Sequence, residues 1–117
     1  MEDTLLEILG AFEVPVIRQG SLAPEAPYPE TFFTFWNRSE EEQTAYDNED
    51  AAFVVHEFDV NVYSTNPATV YSLLKNARDA LKKAGWETPD RGHDIASDEI
   101  THTGRGLTCV YLETITE

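Results

Sequence analysis

Three histidines (His56, His93, His102), one cysteine (Cys109) and the carboxylates Asp94 and Asp98 are the residues of this sequence that could assemble a metal site. None of their spacings is of the CxxC, HxxxH or HExxH kind that places two ligands side by side. His56 reads as a strand residue, and His93 and His102 as loop residues. Adjacent carboxylates occur at Glu41 with Glu42 and at Glu49 with Asp50, but within a run of like charge. Nothing there holds two carboxyl groups at a fixed separation or buries one to raise its pKa, so they read as solvating rather than catalytic. A nucleophile with a partner base is equally hard to build. Cys109 sits in an apolar run where a buried, reduced thiol is expected, while Ser64 falls at a helix cap and Ser72 on a helix face. Gly104-Arg105-Gly106 lacks the strand-turn-helix context and following lysine of a phosphate cradle, and reads as a tight turn that opens a strand. The expectation is a non-enzymatic protein with no metal and no cofactor.

Two features exceed what folding requires. One is the acidic stretch with Glu40, Glu41 and Glu42, which ends in Tyr46, Asp47 and Asn48. The other is the tract Thr101-His102-Thr103-Gly104-Arg105, where His102 and the fork-shaped cation of Arg105 accompany hydrogen-bonding side chains. Opposite charges on separated segments of one small chain suit a subunit that associates head to tail. Glu40, Glu41, Glu42, Tyr46, Asp47, Asn48, His102 and Arg105 are therefore the candidate interface residues.

The elements that must position them follow from pattern. With 117 residues, 41% of them hydrophobic and 11% aromatic, the chain can build one domain (1–117) around one core without metal or disulfide staples. Eight Lys+Arg against 22 Asp+Glu give a net charge of −14, which repels phosphate and anionic lipid and argues against sequence-specific nucleic-acid binding. A lone cysteine suits a reducing cytosol. No apolar run approaches the ~18 residues of a membrane helix, and the acidic start Met1-Glu2-Asp3 is unlike a secretion signal.

Leu5, Leu6, Ile8, Leu9 and Phe12 recur at helical spacing, so a helix starts near Asp3 or Thr4 and ends near Phe12, ahead of Pro15. Val14 to Arg18 reads as a short edge strand, and Gly20 to Pro29, with three prolines, as an extended exposed loop. Thr31 to Asn37 is an aromatic strand with both faces apolar and hence both covered. Arg38 to Asp50 reads as a long solvated hairpin connection. Ala51 to Tyr63 is a strand with a dry face of Phe58, Val60 and Val62 and a wet face of Glu57, Asp59, Asn61 and Tyr63. Ser64-Thr65-Asn66-Pro67 starts a second helix. Its stripe is Val70, Leu73, Leu74, Ala77, Leu81 and Ala84, it carries Lys75, Arg78, Lys82 and Lys83 on its polar side, and Gly85 stops it. Trp86 to Thr88 and Glu99 to Thr103 read as short strands, Pro89 to Ser97 as a turn-rich loop, and Leu107 to Ile115 as the final strand. The expected fold is α+β in the order α-β-β-β-α-β-β-β, a mostly antiparallel sheet with two helices packed on one face.

The aromatic strand Tyr28-Pro29-Glu30-Thr31-Phe32-Phe33-Thr34-Phe35-Trp36, the Tyr46-Asp47-Asn48 corner, Val62-Tyr63-Ser64 before Pro67, Leu81 to Trp86, and Thr101-His102-Thr103-Gly104-Arg105 occur in an order that resembles the tail terminator, or tail completion, proteins of long-tailed phages and prophages. The resemblance spans roughly Tyr28 to Glu113. It implies a compact α+β subunit that forms a ring, usually of six, caps the tail tube and helps join tail to head. Its partners would be further copies of itself, the tail tube protein and a head completion or neck protein. Its place would be the virion tail or neck, reached from the host cytoplasm during assembly. An acidic bore in such a ring would let DNA pass without sticking. Two other function classes fit the composition: an acidic interaction or inhibitor module that binds a basic protein through Glu40 to Asp50, and a small enzyme or ligand binder that uses the loops from His93 to Arg105.

Overall fold

The computed structural model of the chain describes residues 2–18, 29–44, 51–97 and 101–116. In chain order the elements are α1 (Glu2–Gly10), β1 (Val16–Arg18), β2 (Thr31–Thr44), β3 (Ala51–Ser64), α2 (Pro67–Lys83), β4 (His93–Ile95) and β5 (Thr103–Thr116). The strands form one sheet in the order β1-β2-β3-β5-β4. Only β1 runs parallel to its neighbour, pairing Val16 with Phe33. This is the expected α+β fold with a mostly antiparallel sheet.

The core follows from the alternation of β3. Phe58, Val60 and Val62 face the helices, opposite Cys109, Leu107 and Arg105 on one side and Asn37, Phe35 and Phe33 on the other. Leu5 and Leu9 from α1 and Val70, Leu74, Ala77 and Leu81 from α2 close over this surface, and Trp86 seals one end against Phe58. Burial of these apolar side chains is the main stabilising term, about 1.5–3 kcal/mol for each large one. Leu73 is only half-buried at the margin of the stripe. Ala84 is exposed, because it is the C-cap, where the chain leaves the helix through Gly85 at φ +95°. Asn66 is the N-cap, its side chain accepting from the Ala68 amide at 3.0 Å, with Pro67 at the first helical position. Ser64, fully buried, ties the strand end to this cap: its Oγ lies 2.8 Å from Thr31 Oγ1 and accepts from the Asn66 amide at 3.1 Å.

Several boundaries depart from the sequence reading. Arg38 to Thr44 is not loop but the continuation of β2: Arg38 is the bulge between Asn37 and Ser39, and Ser39 to Thr44 pair with Glu57 to Ala52. Backbone pairing to the apolar start of β3 outweighs the repulsion of the glutamates, and the bulge absorbs the register change. Gly104-Arg105-Gly106 is not a turn; it lies inside β5, paired with Tyr63, Val62 and Asn61. The glycines are there because side chains of β3 cross them. A Cβ on Gly104 would stand 2.7 Å from Tyr63 Cε1, and one on Gly106 2.1 Å from Asn61 Oδ1. Within the loop expected at Pro89 to Ser97, His93 to Ile95 form β4. Of Trp86 to Thr88, only Glu87 makes a strand contact, an isolated bridge to Val110. The expected strand Glu99 to Thr103 resolves into the start of β5 at Thr103, with Glu99 and Ile100 outside the described residues. Most of the proline-rich segment, residues 20–28, lies outside them too. Both faces of the aromatic strand are covered at Phe32, Phe33 and Phe35, and on the Phe32 face the cover ends at Trp36, which is 49% exposed.

Candidate subunit interface

The molecule is long and narrow, 52 × 27 × 23 Å. Both helices cover one half of the sheet. The helical half ends near the level where Glu87 bridges Val110, itself opposite Glu57. Beyond it β2, β3 and β5 run on as a three-stranded arm, for five residues or about 16 Å. Beyond the short β1, the outer edge of β2 has no strand partner among the described residues, and past Val110 the edge of β5 that faces away from β3 has none either. Open strand edges offer rows of backbone donors and acceptors to another chain.

The candidate interface residues separate onto the two ends. Glu40, Glu41 and Glu42 stand on β2 in the arm, in register with His56, Val55 and Val54. Tyr46, Asp47 and Asn48 lie outside the described residues. His102 and Arg105 belong to the opposite end. His102 is half-buried, with Nε2 donating to Pro29 O at 2.8 Å and Nδ1 hydrogen-bonded to Thr101 Oγ1 at 2.9 Å, and its ring meets Phe32 edge-on. It fastens the start of β5 to the start of β2. Arg105 faces the helices from β5. Its Nη1 donates to Asp94 Oδ1 and its Nη2 to Gly92 O, both at 3.0 Å, and its guanidinium lies 5.4 Å from the Tyr71 ring centre.

The loop before β4 is held to the same place. Asp90 Oδ1 accepts from the Gly92 amide at 2.9 Å, and Arg78 Nε donates to Asp90 O at 3.2 Å. Gly92 adopts φ +107°, and a Cβ there would stand 2.8 Å from Leu74 Cδ2, so only glycine brings this loop down onto α2. The result is a cavity of about 150 Å³ lined by Tyr71, Lys75, Arg78, Asp79, Arg91 and Arg105. Four cations surround one carboxylate there. Sequence reasoning singled out Arg105 but missed its company. The signal was available for the helical part, since Tyr71, Lys75 and Arg78 recur at i, i+4 and i+7 and therefore share a face.

The helix-free face of the sheet carries a wider, open groove of about 680 Å³. Trp36 and Tyr63 line it, with Arg38 4.0 Å from Asp59 Oδ1 and Thr108 Oγ1 donating to that same oxygen at 3.0 Å. Among the described residues no three His, Cys, Asp or Glu side chains stand close enough together to hold a metal ion. Cys109 is a free, fully buried thiol, pushed up from 9.0 to about 12 by burial and, secondarily, by the Asp59 charge. A neutral buried thiol is a poor nucleophile.

Neither a protein-family model nor a curated protein matches the sequence. Among solved structures, the fold matches a chain from the virion of a native gene transfer agent particle, with a TM-score of 0.62 at 17% identity over 95% of this chain and 84% of that one. At that identity the likeness is one of fold: this two-helix, five-strand arrangement is shared with a chain of a virion particle.

Proposed function

We propose that the chain is a non-enzymatic structural subunit of a phage-like virion, that it closes into a ring, usually of six, on the end of the tail tube, and that it helps join tail to head. The observation that carries this reading is the fold shared over nearly the whole chain with a chain of a gene transfer agent virion. The shape supports it. A narrow molecule with a protruding three-stranded arm at one end and a cationic cavity at the other has two unlike surfaces, which a head-to-tail ring requires and an isologous dimer does not. Neither surface needs chemistry to do its work. The partners on this reading are copies of the same chain, the tail tube and a neck protein.

Sedimentation and electron microscopy of the purified chain, alone and with isolated tail tubes, test it. Closed rings, free or seated on tube ends, are the expected result. A chain that stays monomeric in both conditions overturns the reading. Capture of a basic protein by that monomer would then favour the acidic interaction module.

A further inference from the structure

We infer that the cationic cavity between α2 and the loop before β4 is the socket for the acidic run Glu40 to Asp50 of a second copy. This contact deepens the ring reading and rests on it. Six of the eight Lys and Arg residues of a chain with net charge −14 lie on α2 or beside it, at positions 75, 78, 82, 83, 91 and 105, and four of them line this one cavity. Among the described residues only Arg105 of those four has a carboxylate partner, Asp94. Lys75 and Arg91 are exposed, and Arg78 spends only its Nε on a backbone carbonyl. Asp79 in the lining and Asp94 on Arg105 offset two of the four charges, and the excess is relieved when an anion from outside sits among them. Tyr71, 61% exposed, adds an aromatic wall.

The occupant follows from charge and reach. Glu40 to Asp50 holds six carboxylates and no cation. Within one chain the described part of this run, Glu40 to Thr44, lies at the end far from the socket. Thr44 pairs with Ala52 at the arm end of β3, Arg105 pairs with Val62 near the other end, and ten residues of strand separate them by about 33 Å. The acidic run of one copy therefore meets the socket of the next, a heterologous contact that repeats until a ring closes. Nucleic acid is the poorer occupant, because the rest of the molecule repels phosphate. Arg105 builds the socket wall, being committed to Asp94, Gly92 and Tyr71, while Lys75 and Arg91 are the cations free to reach the neighbour.

The test is a charge swap between two full-length variants, Lys75→Glu/Arg91→Glu and Glu41→Lys/Glu42→Lys, followed by sedimentation under the condition in which the wild type assembles. Each variant alone should associate at least about tenfold more weakly than the wild type, since like charges then face each other. An equimolar mixture should regain rings in which the two variants alternate, a rescue that misfolded chains cannot give. Assembly of Lys75→Glu/Arg91→Glu alone at wild-type strength, or a mixture without rescue, removes the socket and leaves the ring standing. Retention of a short DNA duplex by the wild type through Lys75 and Arg91, without any swap rescue, assigns the cavity to nucleic acid instead. A wild type that never assembles removes both the ring and the socket.

Discussion

The helix-covered half of the sheet and the arm beyond it are built from the same three strands, yet they bury very different things. Under the helices, Phe58, Val60 and Val62 of β3 and Leu107 and Cys109 of β5 lose essentially all contact with solvent. In the arm, Leu112 is 53% exposed and buried His56 reaches the half-exposed Glu113 at 3.3 Å. The fully buried apolar side chains among the described residues thus lie in one half, while the described arm residues Val54, Val55, Tyr111 and Glu113 are only partly buried. A three-stranded arm that protrudes with open edges and an exposed Leu112 gains cover from another chain, which is what the proposed ring would supply.

The largest expected difference between the halves comes from Leu81→Asp. Leu81 is fully buried on the sheet-facing side of α2, and an unpaired carboxylate there costs several kcal/mol, enough to unfold a chain of this size. Lys82→Asp, one residue on and exposed, should leave thermal melting within a few degrees of wild type. If the two variants melt alike, the division between a stabilising half and a dispensable face is wrong.

High pH probes the covered half from inside. The unfolded chain releases the Cys109 proton near pH 9, whereas the folded chain keeps it to about 12. Folding stability from this group is therefore whole below pH 9 and falls as pH rises through the window from 9 to 12, by roughly 1.4 kcal/mol per unit. Denaturant unfolding of wild type and Cys109→Ala across that range should show a steeper loss for the wild type. Equal slopes would mean that the thiol ionises freely in the folded chain.

A smaller effect is expected at the crossing of β3 and β5. Gly104→Ala puts a methyl group against the Tyr63 ring, itself stacked 5.3 Å from Phe32, at a cost of about 1–3 kcal/mol. Tyr63→Ala in the same chain should cancel much of the clash, and a double-mutant cycle measures the coupling. Additive losses would show that the ring and the glycine do not touch. Smallest of all is Leu112→Ser, which should change the melting of the monomer by less than about 0.5 kcal/mol while weakening assembly, because its cost falls on a surface that only a partner covers. Should this variant destabilise the monomer as much as a core substitution, the arm has a core of its own.

The same contrast explains how much could be read from the sequence. The dry face of β3, the stripe of α2 and its Asn66-Pro67 start are written in local periodicity, and they appear where that periodicity puts them. Of the arm, the shares of β3 and β5 were legible and that of β2 was not, because local composition opposes it: three successive glutamates look like solvated loop, and only their register with His56, Val55 and Val54, a pairing between segments, makes them strand. Gly104 and Gly106 misled for a related reason. Glycine marks turns and close approaches alike, and it takes Tyr63 and Asn61, some forty residues away, to decide between them. Of the candidate interface, the charge division was legible, but the cavity was not, since Lys75, Arg91 and Arg105 meet only through the fold.

The place of β5 between β3 and β4 has a consequence for synthesis. Translation completes β3 and α2 well before Thr103 is made, and β3 then waits with one edge unpaired while some forty residues follow it. Such non-local pairing forms more slowly than the local contacts of a helix or a hairpin. A nascent chain cannot raise a finished arm until β5 has emerged from the ribosome, so neighbours on one polysome cannot engage each other half-made. Chains stalled before Thr103 should be cut readily by protease within β3, and full-length chains stalled behind an appended linker that clears the ribosome should resist; protection of the shorter species would show that β3 is secured without β5.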